Sequence, residues 1–305
     1  MQSPESVILI PTSQSSHHLA RLISGSPSCQ SGQIEVVYPI GNGENQDVFP
    51  DGEVYVRLRD EVMDFEGRIV VLHSGMPNPN DGLARLEMIL QILSGSKAIV
   101  EVFFSYFSYG RQDHVRHVGE TNVARNIVAR LVNYYDVSKI YVIDPHFGNQ
   151  TWIIDYPIVQ IKASPVLYTA VRRDHPDVIF MAPDAGSQGR NKLPGTKKTR
   201  HSSFDVEVAW DEEFRLSVEG KVVGVVDDLI STGNTLRKFS EACKQCCAKF
   251  VVAVSTHGVN DSGIRRVKTF FGRLYLTNSI DTPDSNVDIS GLIINAILVP
   301  PAQAE

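Results

Sequence analysis

The sequence lacks any excess of positive charge: 29 Lys and Arg stand against 35 Asp and Glu, a formal net charge of −6. That balance gives no general attraction to nucleic acid or to an anionic membrane, so a bound anion must be held by local groups. A small phosphorylated ligand is compatible with it. Cysteine is scarce too. Cys29 stands alone, and Cys243, Cys246 and Cys247 cluster in "EACKQCCAKF". Its C-x-x-C is followed by no second pair at zinc spacing, so small buried thiols on the inner face of a helix are expected there. The stretch "MQSPESVILIPTS" has no basic residues ahead of its apolar run, which is too short for a signal or a membrane span. The expectation is a cytoplasmic protein with reduced thiols. No G-x-x-x-x-G-K-S/T occurs, so a nucleoside triphosphate would be held by something other than a P-loop.

What is present is the composition of an ordinary globular protein, with 42% hydrophobic and 21% charged residues. Neither disorder nor a fibrous repeat is indicated, and 305 residues are comfortable for two domains. Short runs rich in β-branched residues ("SVILIP", "RIVVLHS", "KAIVEVFFSY", "KIYVIDP", "DVIFMAP", "KVVGVVDD", "KFVVAVSTHG", "RLYLTNS") alternate with stretches of helical periodicity such as "LARLEMILQILSG", "TNVARNIVARLVNYY" and "NTLRKFSEACKQCCA". That alternation predicts α/β units with a largely parallel sheet covered on both faces. The series runs twice, with the natural break near residue 156, in "DYPIVQIKASPVLYTAV". The basic, Gly/Pro-punctuated "QGRNKLPGTKKTRHSS" reads as a long exposed loop.

The most informative stretch is "VVGVVDDLISTGNT", Val222 to Thr235. Ligands of open α/β sheets bind beyond the carboxyl ends of strands, where the next helix begins. Ser231, Thr232, Gly233 and Thr235 offer hydroxyls, a close backbone turn and free helix-start amides, which together suit a phosphate. Asp227 and Asp228 would repel that phosphate in direct contact, so they belong on hydroxyls or on a cation a few ångströms away. A sugar phosphate carries both kinds of group. The plainer reading is a turn with Thr232 or Asn234 capping the helix.

The pattern D-D-x-x-S-T-G-x-T resembles the phosphoribosyl pyrophosphate (PRPP) motif of the type I phosphoribosyltransferase fold. Further segments resemble ribose-phosphate pyrophosphokinases, the PRPP synthetases. "YFSYGRQD" is similar to their Y-F-x-Y-x-R-Q-D signature (Tyr106, Phe107, Tyr109, Arg111, Gln112, Asp113), "DVFPDGE" to F-x-D-G-E, "VIDPHFGNQ" to a D-L-H segment, "MAPDAGSQGR" to a P-D-x-G pyrophosphate loop and "LYLTNSI" to a late T-N-T/S-I strand. The resemblance implies two tandem phosphoribosyltransferase-like α/β domains. Residues 1–155 would carry the ATP side and oligomer contacts, and residues 156–305 the ribose 5-phosphate site. The implied reaction moves the β,γ-diphosphoryl group of ATP to the C1 hydroxyl of ribose 5-phosphate, giving PRPP and AMP.

Residue by residue, the resemblance implies that Phe49, Asp51 and Glu53 face adenine and that Arg111 and Gln112 contact ATP phosphate or base. His146 would coordinate the magnesium carrying ATP, an unusual nitrogen ligand for a hard cation. Asp184 would serve a second magnesium or the pyrophosphate. Lys198 and Arg200, in "KKTR", match a catalytic Lys-x-Arg on a flexible loop. ATP sites of this family are built across subunits, so a homo-oligomer is implied. His73, His114 and His257 receive no role from the resemblance; His257 ends a strand and could border the sugar site. Two competing readings are a PRPP-using phosphoribosyltransferase, which would need neither "SYFSYGRQD" nor a second domain, and a catalytically silent regulatory relative, which should have lost site residues.

Overall fold

Each of the eight β-branched runs becomes a strand. The structure, a computed structural model, describes residues 6–12, 14–184, 187–189, 193–194 and 212–299. The first six strands are β1 (Val7–Pro11), β2 (Ile34–Val36), β3 (Arg68–Ser74), β4 (Ile99–Tyr106), β5 (Lys139–Ile143) and β6 (Ile158–Ile161). They form one sheet in the order β2-β1-β3-β4-β5-β6, parallel at every pairing. The next four, β7 (Ile179–Met181), β8 (Val222–Ile230), β9 (Phe250–Gly258) and β10 (Arg273–Leu276), form a second parallel sheet in the order β10-β9-β8-β7. Parallel strands need crossovers, and the helical stretches supply them, including Pro79–Leu93, Val123–Asn133 and Asn234–Gln245. No described helix is long and apolar enough to cross a membrane.

The described chain groups into two compact units. One contains the residues up to Lys162 together with Ser279–Asp281 and those from Ile289 onward; the other contains Ala163–Asn278 and Thr282–Asp288. The expected division near residue 156 would cut β6 away from its neighbour, yet β6 is bonded to β5 from Ile140↔Ile158 to Ile143↔Ile161. The boundary therefore falls after β6. Nor is the second half continuous, because the helix Ser290–Leu298 belongs to the first unit.

A hydrogen bond from Arg68 ties that helix to the first sheet. Arg68 Nη2 donates to Glu101 Oε2 at 2.7 Å, and Arg68 Nη1 donates to the Ile297 carbonyl at 2.9 Å. Tyr141 donates its hydroxyl to the same Glu101 oxygen at 3.3 Å. Burial and the Glu101 charge push Tyr141 up to about 12, so this hydroxyl stays protonated. In the second unit Cys243 and Cys246 are buried as expected, and burial pushes the Cys243 thiol up to about 12. Cys247 lies past the helix end with φ of +58° and is exposed, and Cys29 is half-buried.

Candidate active site

In the second unit, β8 runs through both acids to Ile230, so Asp227 and Asp228 lie within the last residues of the strand. Asp227 Oδ1 accepts a hydrogen bond from Ser187 Oγ at 2.5 Å and another from the Asp228 amide at 3.1 Å. The Ser187 amide donates to Asp184 Oδ1 at 2.9 Å. Ser187 thus joins the chain after β7 to the acidic pair. Burial lifts Asp227 well above the usual carboxylate range, and the charges of Asp228 and Asp184 add to the lift while the Ser187 hydrogen bond opposes it. Crowding acids in this way costs free energy unless protons, hydroxyl donors or a cation neutralise them.

The chain then turns at Ser231 and Thr232 into the helix Asn234–Gln245. Its N-cap is Gly233, at φ +73°, with no side-chain capping bond, so neither Thr232 nor Asn234 is the cap. Thr232 Oγ1 accepts only a long 3.4 Å bond from the Asn234 amide. First-turn amides without a capping side chain, at the positive end of a helix, suit an anion. The turn is buttressed from the helix Asp261–Phe270: Arg266 Nη1 donates to the Thr232 carbonyl and to Asn234 Oδ1, both at 3.0 Å. A Cβ on Gly263 would lie 1.8 Å from the Ser231 carbonyl oxygen, so only glycine lets the two backbones meet.

The first unit holds a cleft of about 870 Å³ whose lining includes Tyr109, Arg111, Gln112, His114, Arg116 and His146. Tyr109 at φ +62° starts a tight turn, closed by the Gln112 amide on the Tyr109 carbonyl at 2.9 Å, which presents Arg111 and Gln112. Asp113, buried behind them, anchors the turn: Gln150 donates to its Oδ2 at 2.9 Å, and Asn122 and Trp152 donate to its carbonyl at 2.6 and 3.2 Å. His146 enters after β5, where Asp144 takes φ +36° and pairs with Lys162 at 3.4 Å.

Of the residues singled out in the sequence, Arg111, Gln112 and His146 share that cleft, while Asp184, Asp227, Asp228 and the Ser231–Thr235 turn gather in the second unit. Phe49, Asp51 and Glu53 are exposed on an excursion between β2 and β3 and do not line the cleft of their own chain. Gly52 at φ +93°, the Phe49 amide donating to the Glu53 carbonyl at 2.8 Å and the Gly52 amide donating to the Phe49 carbonyl at 2.9 Å shape them as a tight turn. Lys198 and Arg200 lie outside the described residues. His73 is buried in the core, Nδ1 against Thr12 Oγ1 at 2.9 Å, and His257 is buried in β9. Among the described residues no three His, Cys, Asp or Glu stand together as a metal cluster. Ser187, Gly263 and Asp113 carry more of the architecture than their sequence context revealed. Asp113 was legible only as the last residue of the R-Q-D signature, and Ser187 by its position three residues after Asp184, where a carboxylate reaches forward to an amide.

Comparison with known proteins gives one consistent result. The family described as the N-terminal domain of ribose phosphate pyrophosphokinase matches residues 8–134. The chain is 30% identical over 276 residues to the ribose-phosphate pyrophosphokinase of Pyrococcus furiosus, covering 87% of this chain and 96% of that protein. It is 32% identical to that of Thermococcus kodakarensis over 258 residues, 79% of this chain and 87% of the other. The crystal structure of phosphoribosylpyrophosphate synthetase from Mycobacterium smegmatis superposes with a TM-score of 0.75 over 96% of this chain and 97% of that one, at 22% identity.

Proposed function

Because the chain belongs to the ribose-phosphate pyrophosphokinase family, we propose that it transfers the β,γ-diphosphoryl group of ATP to the C1 hydroxyl of D-ribose 5-phosphate, giving PRPP and AMP. The C1 oxygen bonds to the β-phosphorus, the bond from that phosphorus to the oxygen bridging it to the α-phosphorus breaks, and AMP leaves with that oxygen. The hydroxyl proton passes to solvent. The observation that carries this reading is the end of β8, where an acidic pair made costly by burial adjoins a helix start with no capping side chain. A ribose phosphate satisfies both at once: its hydroxyls donate to Asp227 and Asp228, and its 5-phosphate accepts from the Ser231–Thr235 turn.

Transfer of this kind needs in-line placement and neutralised oxygens more than covalent help from the protein. Arg111 and Gln112 orient the nucleotide, while Phe49, Asp51 and Glu53 from a second copy in a homo-oligomer complete the adenine pocket. Lys198 and Arg200 close on the β-phosphate as charge grows there. Magnesium fits the donor set, since carboxylate oxygens suit a hard cation. His146 would hold the magnesium that carries ATP, and Asp184 a second magnesium or the pyrophosphate; when bound, the cation would neutralise phosphate oxygens. The proposed setting is the cytoplasm.

The test is to incubate the purified protein with magnesium, ATP and ribose 5-phosphate and follow AMP and PRPP together by chromatography and mass spectrometry. Equal amounts of both support the proposal. Formation of ADP instead, or no turnover, refutes it.

A further inference from the structure

Arginines of the first unit differ in what they face. Arg68, Arg85, Arg125 and Arg130 each have a carboxylate within 4 Å. Arg111 and Arg116, both lining the cleft, have none among the described residues, although Glu120 lines the same cleft. The Glu120 carboxylate is engaged elsewhere: its Oε2 accepts from the backbone amides of Arg116 at 2.8 Å and His117 at 3.0 Å, and these bonds hold the acid below its usual range. The loop thus engages its acid with its own backbone, and the Glu120 charge, although Arg116 feels it through space, forms no ion pair with the guanidinium.

Arg116 is nonetheless held in place. Its Nε donates to His114 Nε2 at 3.0 Å. A guanidinium only donates, so Nε2 is the accepting nitrogen and the ring proton is on Nδ1. Nδ1 in turn meets Asp113 Oδ1 at 2.6 Å, and Asp113 is buried and fixed by Gln150. An unbroken chain therefore runs from a buried acid through an imidazole to an arginine. It consumes only Nε, leaving the two Nη groups to grip a planar or tetrahedral oxyanion.

We infer that Arg116 is a second cation for the polyphosphate of the nucleotide, acting beside Arg111, and that His114 is the positioning residue that fixes it. The inference rests on the cleft being the ATP site. Orienting a long side chain before the ligand arrives lowers the ordering cost of binding, so loss of His114 should weaken the same contact that loss of Arg116 removes.

The experiment titrates ATP into the full chain by calorimetry, without ribose 5-phosphate, so that binding is read apart from turnover. Arg116→Ala is expected to weaken ATP about ten-fold, in the range of one charge-assisted contact. His114→Ala should cost about three-fold, the rotamer ordering alone, and nothing beyond Arg116→Ala in the double variant. His114→Gln, which can still accept from Arg116, should bind nearly as wild type; melting temperatures should not change, and the KM for ribose 5-phosphate should stay put. Unchanged ATP affinity in Arg116→Ala, or additive losses in the double variant, overturns the inference. If this pattern holds while no AMP forms, the proposed reaction falls and this inference stands; if AMP and PRPP form normally while Arg116→Ala binds ATP as wild type does, the reverse is true.

Discussion

Substituting Gly263 by alanine puts a methyl group 1.8 Å from the Ser231 carbonyl oxygen and 2.8 Å from the Ser231 carbonyl carbon. Ordinary contact begins near 3.4 Å, so the two backbones must part by about 1.6 Å. Gly263 sits in the first turn of the helix Asp261–Phe270, whose amides at Ser262 and Gly263 are bound by the Asn260 side chain. The turn at Ser231–Gly233 is the softer partner and moves. In a helix free of such a contact, Gly→Ala stabilises by roughly 0.5–1 kcal/mol. Here the expected sign is opposite: a lower melting temperature, and a catalytic loss of order a hundred-fold, the scale set by a 1 Å misplacement of a positioned group. The loss should fall mainly on kcat/KM for ribose 5-phosphate, with the ATP dissociation constant unchanged. Steady-state kinetics varying each substrate, beside a thermal melt, give the answer. A more stable variant with unchanged kinetics would refute the claim that this backbone contact shapes the phosphate turn.

Asp227→Asn should abolish turnover and yet raise the melting temperature in magnesium-free buffer at pH 8. A raised native pKa means that the ionised form opposes folding, a penalty absent below the unfolded value near 3.9 and growing as pH rises through the window above it; a gain that does not shrink toward pH 4 contradicts this. His73, held by burial at about 3 and therefore neutral, should make urea stability fall as pH drops from about 6.5 toward 3, by as much as roughly 5 kcal/mol, and His73→Gln should flatten that slope. Arg68→Met strands the buried Glu101 and should cost about 3 kcal/mol of urea stability, much of it recovered by adding Glu101→Leu; an additive double variant would show that the pair is not coupled. Lys198→Ala and Arg200→Ala should depress kcat far more than the affinity for either substrate in single-turnover and binding assays, and an unchanged kcat removes them from the mechanism.

The strands legible in the sequence were those written as continuous apolar runs such as "RIVVLHS". The two that escaped, β2 and β6, are the edges of the first sheet. An edge strand has one neighbour, needs fewer residues and tolerates polar ones; "IEV" and "IVQI" carry no distinctive pattern, whereas the edges of the second sheet, β7 and β10, stayed legible because each lies in a more apolar run. The same blindness put the domain boundary before β6. At the site, motif residues were legible because their chemistry is local: an acidic pair and a glycine turn announce themselves within nine residues of chain, Asp227 to Thr235. What escaped depends on distance. Ser187 reaches Asp227 across forty positions, and Gly263 matters only because another backbone passes through the space its side chain would fill.

The bond from Arg68 to the Ile297 carbonyl spans 229 positions of sequence. At ribosomal rates of about 5–20 residues per second, the first unit waits roughly ten to forty-five seconds between exposing its arginine and receiving the helix that completes it. During that interval the second unit is synthesised as an insertion and can fold around its own sheet. The first unit meanwhile keeps open the place that the buried faces of Ile293 and Ile297 will occupy beside the helix Gln14–Ser24. In a nascent chain of this protein the half made first therefore carries an unfilled apolar surface until the helix Ser290–Leu298 arrives.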